Sequence, residues 1–212
     1  PASDYALKRY HEVCNDLPVL TITPDDEVRG RQVLDGIGVP ADAWWVCLHV
    51  RNNDSNPDPT RDDTTVRDAE IGTYMAAVEA IVERGGWVFR LGLSGMPPML
   101  EGPSVVDYAN SAVRSDWMDL FLISGARFFL GCDSGPMVTA SIFGTPVVAA
   151  NYIPMGQGLL MASDIYISKL YRQTDGGRLL TFSEVLGSSK RDFPSYEAFK
   201  AEGLEWVDNT SD

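Results

Sequence analysis

Residues 128–136 constrain the fold of this chain most strongly. They read FFLGCDSGP, an apolar strand that passes through a turn of small residues directly into a helix beginning near Pro136. A second apolar run, WVCLHV at residues 45–50, is followed at once by Arg51. Strands that are apolar on both faces are typical of buried parallel sheets, and strands that alternate with helices indicate βα units. We therefore predict an α/β fold with a doubly wound, mainly parallel, Rossmann-like sheet.

Hydrophobic periodicity, capping residues and glycines place the individual elements. The predicted strands lie at residues 45–50, 87–91, 104–108, 127–130 and 146–150. The predicted helices lie at residues 25–36, 68–84, 116–124, 136–143 and 196–202. The helix at 68–84 is the most regular, and Thr65 and Asp68 have the spacing of a capping box at its start. The polar loop before it, residues 52–64, has a length that is typical of functional loops.

The composition argues against several classes of partner. The formal net charge is −13, whereas nucleic acids and anionic membranes require a basic face, so neither is expected to bind. No apolar run approaches the ~18 residues that a membrane span needs. Cys14, Cys47 and Cys132 have no paired spacing, which favours free thiols in a reducing compartment, and we expect a cytoplasmic location.

Two segments are expected along the chain. Residues 1–40 are predicted to be an N-terminal helical or linker segment, and residues 41–212 a Rossmann-like domain. The chain lacks an initiator methionine and ends on Asn209-Thr210-Ser211-Asp212, a good helix cap with no helix after it. We therefore expect that the sequence is cut at both ends.

Polar side chains follow the predicted strands, where ligands of open α/β sheets bind. Two arginines and a helix start with unpaired N–H groups suit a phosphorylated ligand, a nucleotide diphosphate in particular. We predict that Arg51 holds the phosphate through its planar guanidinium group. The full set of candidate binding residues is His49, Arg51, Arg90, Gly92, Asp107, Tyr108, Ser115, Asp116, Asp133, Ser134 and Gly135.

Several of these residues have a structural alternative. His49 is either a ligand contact or a buried histidine that braces the loop, and Arg90 is either a ligand contact or half of an ion pair. Ser115 and Asp116 are suited to the start of a helix, although contact with a sugar hydroxyl stays open. Ser134 lies in GCDSG, which lacks the spacing of a nucleophile elbow, so a phosphate-binding helix cap is its better role.

The sequence motifs that are typical of metal sites and common cofactor sites are incomplete or absent. Residues 54–58 begin like a calcium loop, but Pro59 replaces the turn glycine and Thr65 stands where the bidentate glutamate belongs. The chain has two histidines, which makes a histidine-based metal site a poor interpretation. Neither a Walker lysine motif nor a GxGxxG after a strand is present. We expect no metal and no cofactor.

An ordered series of motifs resembles a bacterial glycosyltransferase family of GT-B type. The resemblance runs from about residue 46 to residue 210 and rests on the order of its motifs, not on any one of them. The motifs are HVR at 49–51, RDAEI at 67–71 with Tyr74, GWVFRLG at 86–92, DYA at 107–109, SDxMDxFL at 115–122, FFLGxxSG at 128–135, FGTP at 143–146, Asn151, and GLExxxNT at 203–210, where x is any residue.

The resemblance implies a nucleotide-sugar-binding domain, the C-terminal half of a GT-B fold. Its HVR strand end is similar to that of fucosyltransferases, which implies that Arg51 binds the donor diphosphate and acts in catalysis. It also implies metal-independent transfer of a sugar to a glycan or lipid-linked acceptor. The acceptor domain of such enzymes has no counterpart in this sequence, so another domain or a partner chain would supply it.

Two other functions stay open at the level of sequence. One is a non-catalytic module that binds nucleotide sugars without turnover. The other is a Rossmann-like hydrolase or phosphatase that uses Asp133 or Asp107 and depends on a metal.

Overall fold

The chain folds around a six-stranded parallel sheet. The computed structural model describes residues 18–52, 66–99, 102–158, 161, 163–192 and 195–211. The strand order is β3-β2-β1-β4-β5-β6, and every neighbouring pair is parallel. The strands are β1 Trp45–His49, β2 Trp87–Arg90, β3 Val105–Val106, β4 Phe128–Gly131, β5 Val147–Tyr152 and β6 Ile165–Ser168. The prediction of a Rossmann-like α/β sheet is confirmed.

Helices cover both faces of this sheet, and a small antiparallel pair of strands follows it. The pair is β7 Leu170–Gln173 with β8 Leu204–Val207. The helices are α1 Pro24–Gly36, α2 Met75–Glu83, α3 Asp116–Gly125, α4 Gly135–Ile142, α5 Phe182–Leu186 and α6 Tyr196–Ala201. β6, β7, β8 and α5 were not among the predicted elements.

Three apolar cores hold the elements together. On the first sheet face, Trp45 and Phe129 pack beneath α1, α3 and α4 in the largest core. On the second face, α2 places Val78 and Ile81 against the other side of β1 and β2. A third core joins β7, β8, α5 and α6, and it includes Val66. Leu34 and Val39 belong to the first core, so part of the segment assigned to residues 1–40 packs with the domain.

The helix predicted at residues 68–84 begins later than expected. A 3-10 turn, Ile71–Tyr74, precedes α2, which starts at Met75. The backbone before this turn forms hydrogen bonds with distant residues and not with a helix. Ala69 N donates to Arg51 O (3.0 Å), and Asp68 O accepts from Lys169 Nζ (2.6 Å). Asp68 therefore does not cap a helix, and Thr65 and most of the polar loop lie outside the described residues.

The strand predicted at residues 104–108 is also shorter. β3 contains only Val105 and Val106, and the backbone enters a 3-10 turn at Tyr108. Asp107 lies between β3 and this turn, and its carboxylate accepts hydrogen bonds from Arg90 and from the N–H of Met99. These contacts turn the chain away from the sheet.

The strand order reverses between β1 and β4, which lie side by side. His49 pairs with Gly131 at the carboxyl end of these two strands. A Cβ atom on Gly131 would lie 2.2 Å from the carbonyl oxygen of His49. Only glycine allows this approach, which brings the chain after β1 next to the turn after β4. Ligands of open α/β sheets bind at such a reversal of strand order.

Candidate functional site

The candidate site is built where the chain leaves β1 and β4. Cys132 N donates to His49 O (3.3 Å), and Arg51 N donates to Cys132 Sγ (3.1 Å). Burial raises the pKa of the Cys132 thiol to about 11, so this side chain remains a neutral thiol that joins the two strand ends. The structure thereby brings together His49, Arg51, Asp133 and Ser134 from the predicted set.

Arg51 is held by a carboxylate from the segment before α2. Its Nε atom lies 3.1 Å from Asp68 Oδ1, with side chains that are 15% and 23% exposed. Asp68 is itself fixed, since its carbonyl oxygen accepts from Lys169 Nζ and Lys169 is fully buried. Asp68 therefore positions the Arg51 guanidinium, and Lys169 in turn positions Asp68. The Arg51 side chain remains partly exposed.

A second guanidinium, that of Arg67, lies at the same edge. Arg67 Nη1 is 3.4 Å from Asp133 Oδ2, and both side chains are partly exposed. Arg51 N donates to Cys132 Sγ and Arg67 contacts Asp133, so the two arginines contact consecutive residues of the turn after β4. Burial and then the positive charge of Arg67 lower the pKa of Arg51. Arg67 was not among the predicted site residues, although it opens the RDAEI motif.

The N-terminus of α4 faces this edge from β4. Ser134 is the N-cap residue, and its side chain makes no capping bond to the helix. Its hydroxyl is buried and, within the described part of the chain, has no hydrogen-bond partner. The first turn of a helix has N–H groups without an intrahelical acceptor, so the start of α4 at Ser134 and Gly135 offers the backbone donors that an anion requires.

His49 is neutral at physiological pH. Burial, together with the positive charges of Arg90 and Arg51, lowers the pKa of His49 to about 4. Its Nδ1 atom is buried and lacks a hydrogen-bond partner among the described residues. The structure leaves both predicted roles open, since the imidazole is buried and its Nδ1 atom has no partner among the described residues.

Arg90 and Asp107 form a buried ion pair. Arg90 Nη1 and Asp107 Oδ1 are 3.0 Å apart, and each side chain is 4% exposed. Arg90 Nη2 also donates to Pro97 O (3.2 Å), and Asp107 Oδ2 accepts from Met99 N (3.1 Å) and Asn110 Nδ2 (2.8 Å). These contacts fit the structural alternative for Arg90. A ligand would have to open the pair to reach either side chain.

The remaining predicted residues support the start of α3. Tyr108 is fully buried, and its hydroxyl donates to Ser115 O (3.0 Å) and accepts from Ser115 N (2.9 Å). Ser115 Oγ accepts from Met118 N (3.2 Å), which is the N-cap role considered from the sequence. The Asp116 side chain is almost fully exposed, and its Oδ1 atom lies 3.4 Å from Arg114 Nη2. Gly92 O accepts a hydrogen bond from Arg114 Nε (3.2 Å). Gly92 has φ +155°.

Two negative findings apply to the described part of the chain. No group of three or more His, Cys, Asp or Glu side chains there is arranged to hold a metal ion. No helix among those residues has both the length and the apolar character to cross a membrane. Residues 54–58 of the calcium-loop-like sequence are outside that part.

The structure is a Rossmann-like α/β domain in which two guanidinium groups, each paired with a carboxylate, and a helix N-terminus lie at the reversal of strand order. The sequence matches no protein-family model, and no curated protein matches it. Among solved structures, ADP-heptose lps heptosyltransferase II of E. coli is similar, with a TM-score of 0.50 and 11% identity. The match covers 71% of this chain and 45% of that protein.

Two further solved structures are similar at lower scores. A glycosyl transferase family 9 protein from Veillonella parvula has a TM-score of 0.48 and 15% identity, over 70% of this chain and 42% of that one. KpsC of Thermosulfurimonas dismutans, a beta Kdo 2,4 transferase, has a TM-score of 0.37 and 12% identity, over 79% and 63%.

The similarity to the heptosyltransferase shows the fold, a Rossmann-like α/β sheet like that of GT-B glycosyltransferases. The chain spans less than half of the length of the first two of these proteins.

Proposed function

We propose that this chain is the donor-binding domain of a glycosyltransferase. In this proposal it binds a nucleoside diphosphate sugar at the edge where Arg51, Arg67 and the α4 N-terminus lie, and the sugar is transferred to a glycan or lipid-linked acceptor. The fold supports the proposal at the level of class. The resemblance of the HVR strand end to fucosyltransferases supports Arg51 as the residue that binds the donor diphosphate.

The observation that carries the proposal is the convergence of two guanidinium groups and a helix N-terminus after β1 and β4. Arg51, Arg67 and the N-terminus of α4 offer two planar guanidinium groups and a set of backbone N–H donors. Guanidinium groups bind phosphate oxygens through paired hydrogen bonds, and helix N-termini favour the same charge. A diphosphate presents enough oxygens to bind all three, whereas a carboxylate does not.

The proposed chemistry is stabilisation of the leaving group. When the sugar departs, negative charge develops on the diphosphate, and fixed positive charge beside it lowers the barrier. The two arginines can supply this charge themselves, so the proposed route needs no metal. Asp68 and Asp133 orient the arginines, and the incoming diphosphate competes with these carboxylates for them.

The proposal includes a separate site for the acceptor. A further domain or a partner chain would carry the acceptor site in this proposal. The hydrolase alternative is less well supported, because Asp133 contacts Arg67 and Asp107 is buried against Arg90. Neither carboxylate is exposed as an unengaged nucleophile.

Titration calorimetry tests the proposal. GDP, UDP, ADP and their sugar conjugates are titrated into the protein and into the Arg51→Ala and Arg67→Ala variants. Because a hydrogen bond to a charged group contributes about 1.5–3 kcal/mol, Arg51→Ala is expected to weaken diphosphate binding roughly 10- to 100-fold. Arg84→Ala is the matched control, since it removes an exposed arginine at the other end of the sheet.

The outcomes separate the alternatives. Failure of every nucleotide to bind at millimolar concentration would refute both the transferase and the non-catalytic module. Binding that is unchanged in Arg51→Ala would remove Arg51 from the site. Metal-dependent release of inorganic phosphate that Asp133→Asn abolishes would favour the hydrolase. Slow release of sugar from one nucleotide sugar, lost in Arg51→Ala, would favour the transferase over the non-catalytic module.

A further inference from the structure

The second face of the sheet is only half covered in the described structure. α2 packs over β1 and β2, but beside it an apolar groove of about 570 Å³ remains open above β4 and β5. One wall is the side of α2, and the floor is the sheet. The lining residues are Trp44, Ala77, Ala80, Ile81, Arg84, Arg127, Phe128, Leu130 and Val148.

The open face continues beyond the groove onto the edge strand. In β6, Ile165 pairs with Val148 and Ile167 pairs with Ala150, so the isoleucines share the face of the groove floor. Their side chains are 62% and 64% exposed. Tyr166, between them, points to the opposite face and contacts Tyr152. The result is a continuous apolar surface across three strands, and exposed apolar patches of this kind mark interaction sites.

The shape of the groove suits an α-helix. Ala77 and Ala80 form its helical wall one turn apart, and their small side chains let another helix approach α2 closely. Packed helices lie about 8–10 Å apart. Three adjacent strands at about 4.8 Å spacing give a floor as wide as such a helix.

The charge of the groove identifies the occupant further. Arg84 and Arg127 stand at the end where the strands begin. Arg84 Nη1 donates to Ala80 O (2.6 Å), and the Arg127 guanidinium lies 4.8 Å from the Trp44 ring. Within the described residues, neither arginine forms an ion pair with a carboxylate, although the whole chain has a net charge of −13.

We propose that this groove, together with Ile165 and Ile167, binds an amphipathic α-helix of a partner protein. The apolar side of the partner helix covers the floor, and acidic side chains at one end of that helix pair with Arg84 and Arg127. The groove lies on one face of the sheet, and none of the residues that line it belongs to the proposed diphosphate site at the carboxyl ends of the strands. The inference is therefore independent of the proposed function, and the two sites can be occupied together.

Two hydrocarbon-stapled helical peptides test the proposal by fluorescence anisotropy with the full chain. Both carry leucines at three- and four-residue spacing, and they differ only in having glutamate or lysine beside the leucines near one end. The glutamate peptide is expected to bind more tightly. Ala80→Glu, which places a charge in the groove, should weaken its binding at least about tenfold. Ala76→Glu, an exposed position on α2 outside the groove, is the matched control and should change it less than about twofold.

Charge reversal completes the test. In the Arg84→Glu, Arg127→Glu double variant, the preference should change to the lysine peptide, because complementary charge sets partner choice. Equal binding of both peptides, or no binding of either, overturns the proposal. A dimer in sedimentation equilibrium that Ala80→Glu dissociates also overturns it, since a second copy would then fill the groove.

Discussion

Lys169 is expected to stabilise the protein by connecting the third core to the candidate site. Its side chain is fully buried, and Nζ lies 2.7 Å from Asp208 Oδ1 and 2.6 Å from Asp68 O. Lys169→Met keeps the apolar volume but removes both contacts. A charged hydrogen bond contributes about 1.5–3 kcal/mol, and a buried ion pair broken from one side costs about 3–5 kcal/mol.

The exposure of the partner decides where in this range the effect should fall. Asp208 is 32% exposed, so water can solvate it in part when the lysine is removed. We therefore expect a loss of about 3 kcal/mol in the free energy of unfolding, near the lower end. Since the urea dependence is about 1–3 kcal/mol per molar for small proteins, the urea midpoint should fall by roughly 1–3 M.

Urea unfolding followed by circular dichroism measures this loss. Lys190→Met is the matched control, because Lys190 pairs with Glu202 at 3.1 Å on the surface, with 26% and 48% exposed side chains. That variant should lose at most about 1 kcal/mol. Adding Asp208→Asn to Lys169→Met removes the unpaired carboxylate and should recover part of the loss. The reasoning is refuted if both lysine variants lose the same free energy, or if the double variant is no more stable than Lys169→Met.

Three further predictions concern residues in and beside β1 and β4, where the strand order reverses. Gly131→Ala should abolish stable folding, read from soluble yield and thermal unfolding, because its Cβ would lie 2.2 Å from His49 O. The pKa of about 4 for His49 lies below the unfolded value, so the unfolded state binds the extra proton and stability should fall as pH decreases from about 6.5 to 4. His49→Gln should remove that part of the pH dependence in urea unfolding, and an unchanged slope would contradict the assignment. Cys47 and Cys132 are buried and have raised thiol pKa values, so alkylation at pH 8, mapped by mass spectrometry, should label them only on unfolding.

The sequence predicts the sheet well because its signals are local. Strands β1, β4 and β5 have apolar residues on both faces, and the Ser115 side chain at the start of α3 accepts a hydrogen bond from Met118, three positions later. α4 begins at Gly135, one residue before its predicted start, and Ser115 caps α3 as its spacing indicated. Such features depend on neighbours in the chain and survive without knowledge of the tertiary structure.

The elements that the sequence misses depend on distant contacts. α2 starts late because the backbone around Asp68 bonds to Arg51 and Lys169, which lie far from it in the sequence. In β6 the isoleucines lie on an uncovered face of the sheet. The sequence of this strand therefore cannot be distinguished from any short apolar run. The two strands of the small antiparallel sheet, β7 and β8, are separated in the sequence by a long segment that contains α5 and α6.

The candidate site shows the same division between local and distant information. Arg51 and Ser134 follow apolar strands directly, so their position at the carboxyl edge could be predicted. Arg90 also ends a strand, yet its buried partner Asp107 comes from the next strand and fits a structural role. Arg67 has no such signal, because it lies between a polar loop and a helix, and it is located at the edge by its contact with Asp133, which is distant in the sequence.

The carboxylates beside Arg51 and Arg67 determine how the site can act. In this structure Asp68 and Asp133 each contact one guanidinium, so the edge as a whole carries little net charge. A ligand with a single negative charge would gain little by replacing one carboxylate. A diphosphate carries more charge on closely spaced oxygens, and it can bind both guanidinium groups and the α4 N-terminus at once. Under the proposed function, the paired acids would therefore select for multiply charged ligands, because only such a ligand compensates for loosening both ion pairs.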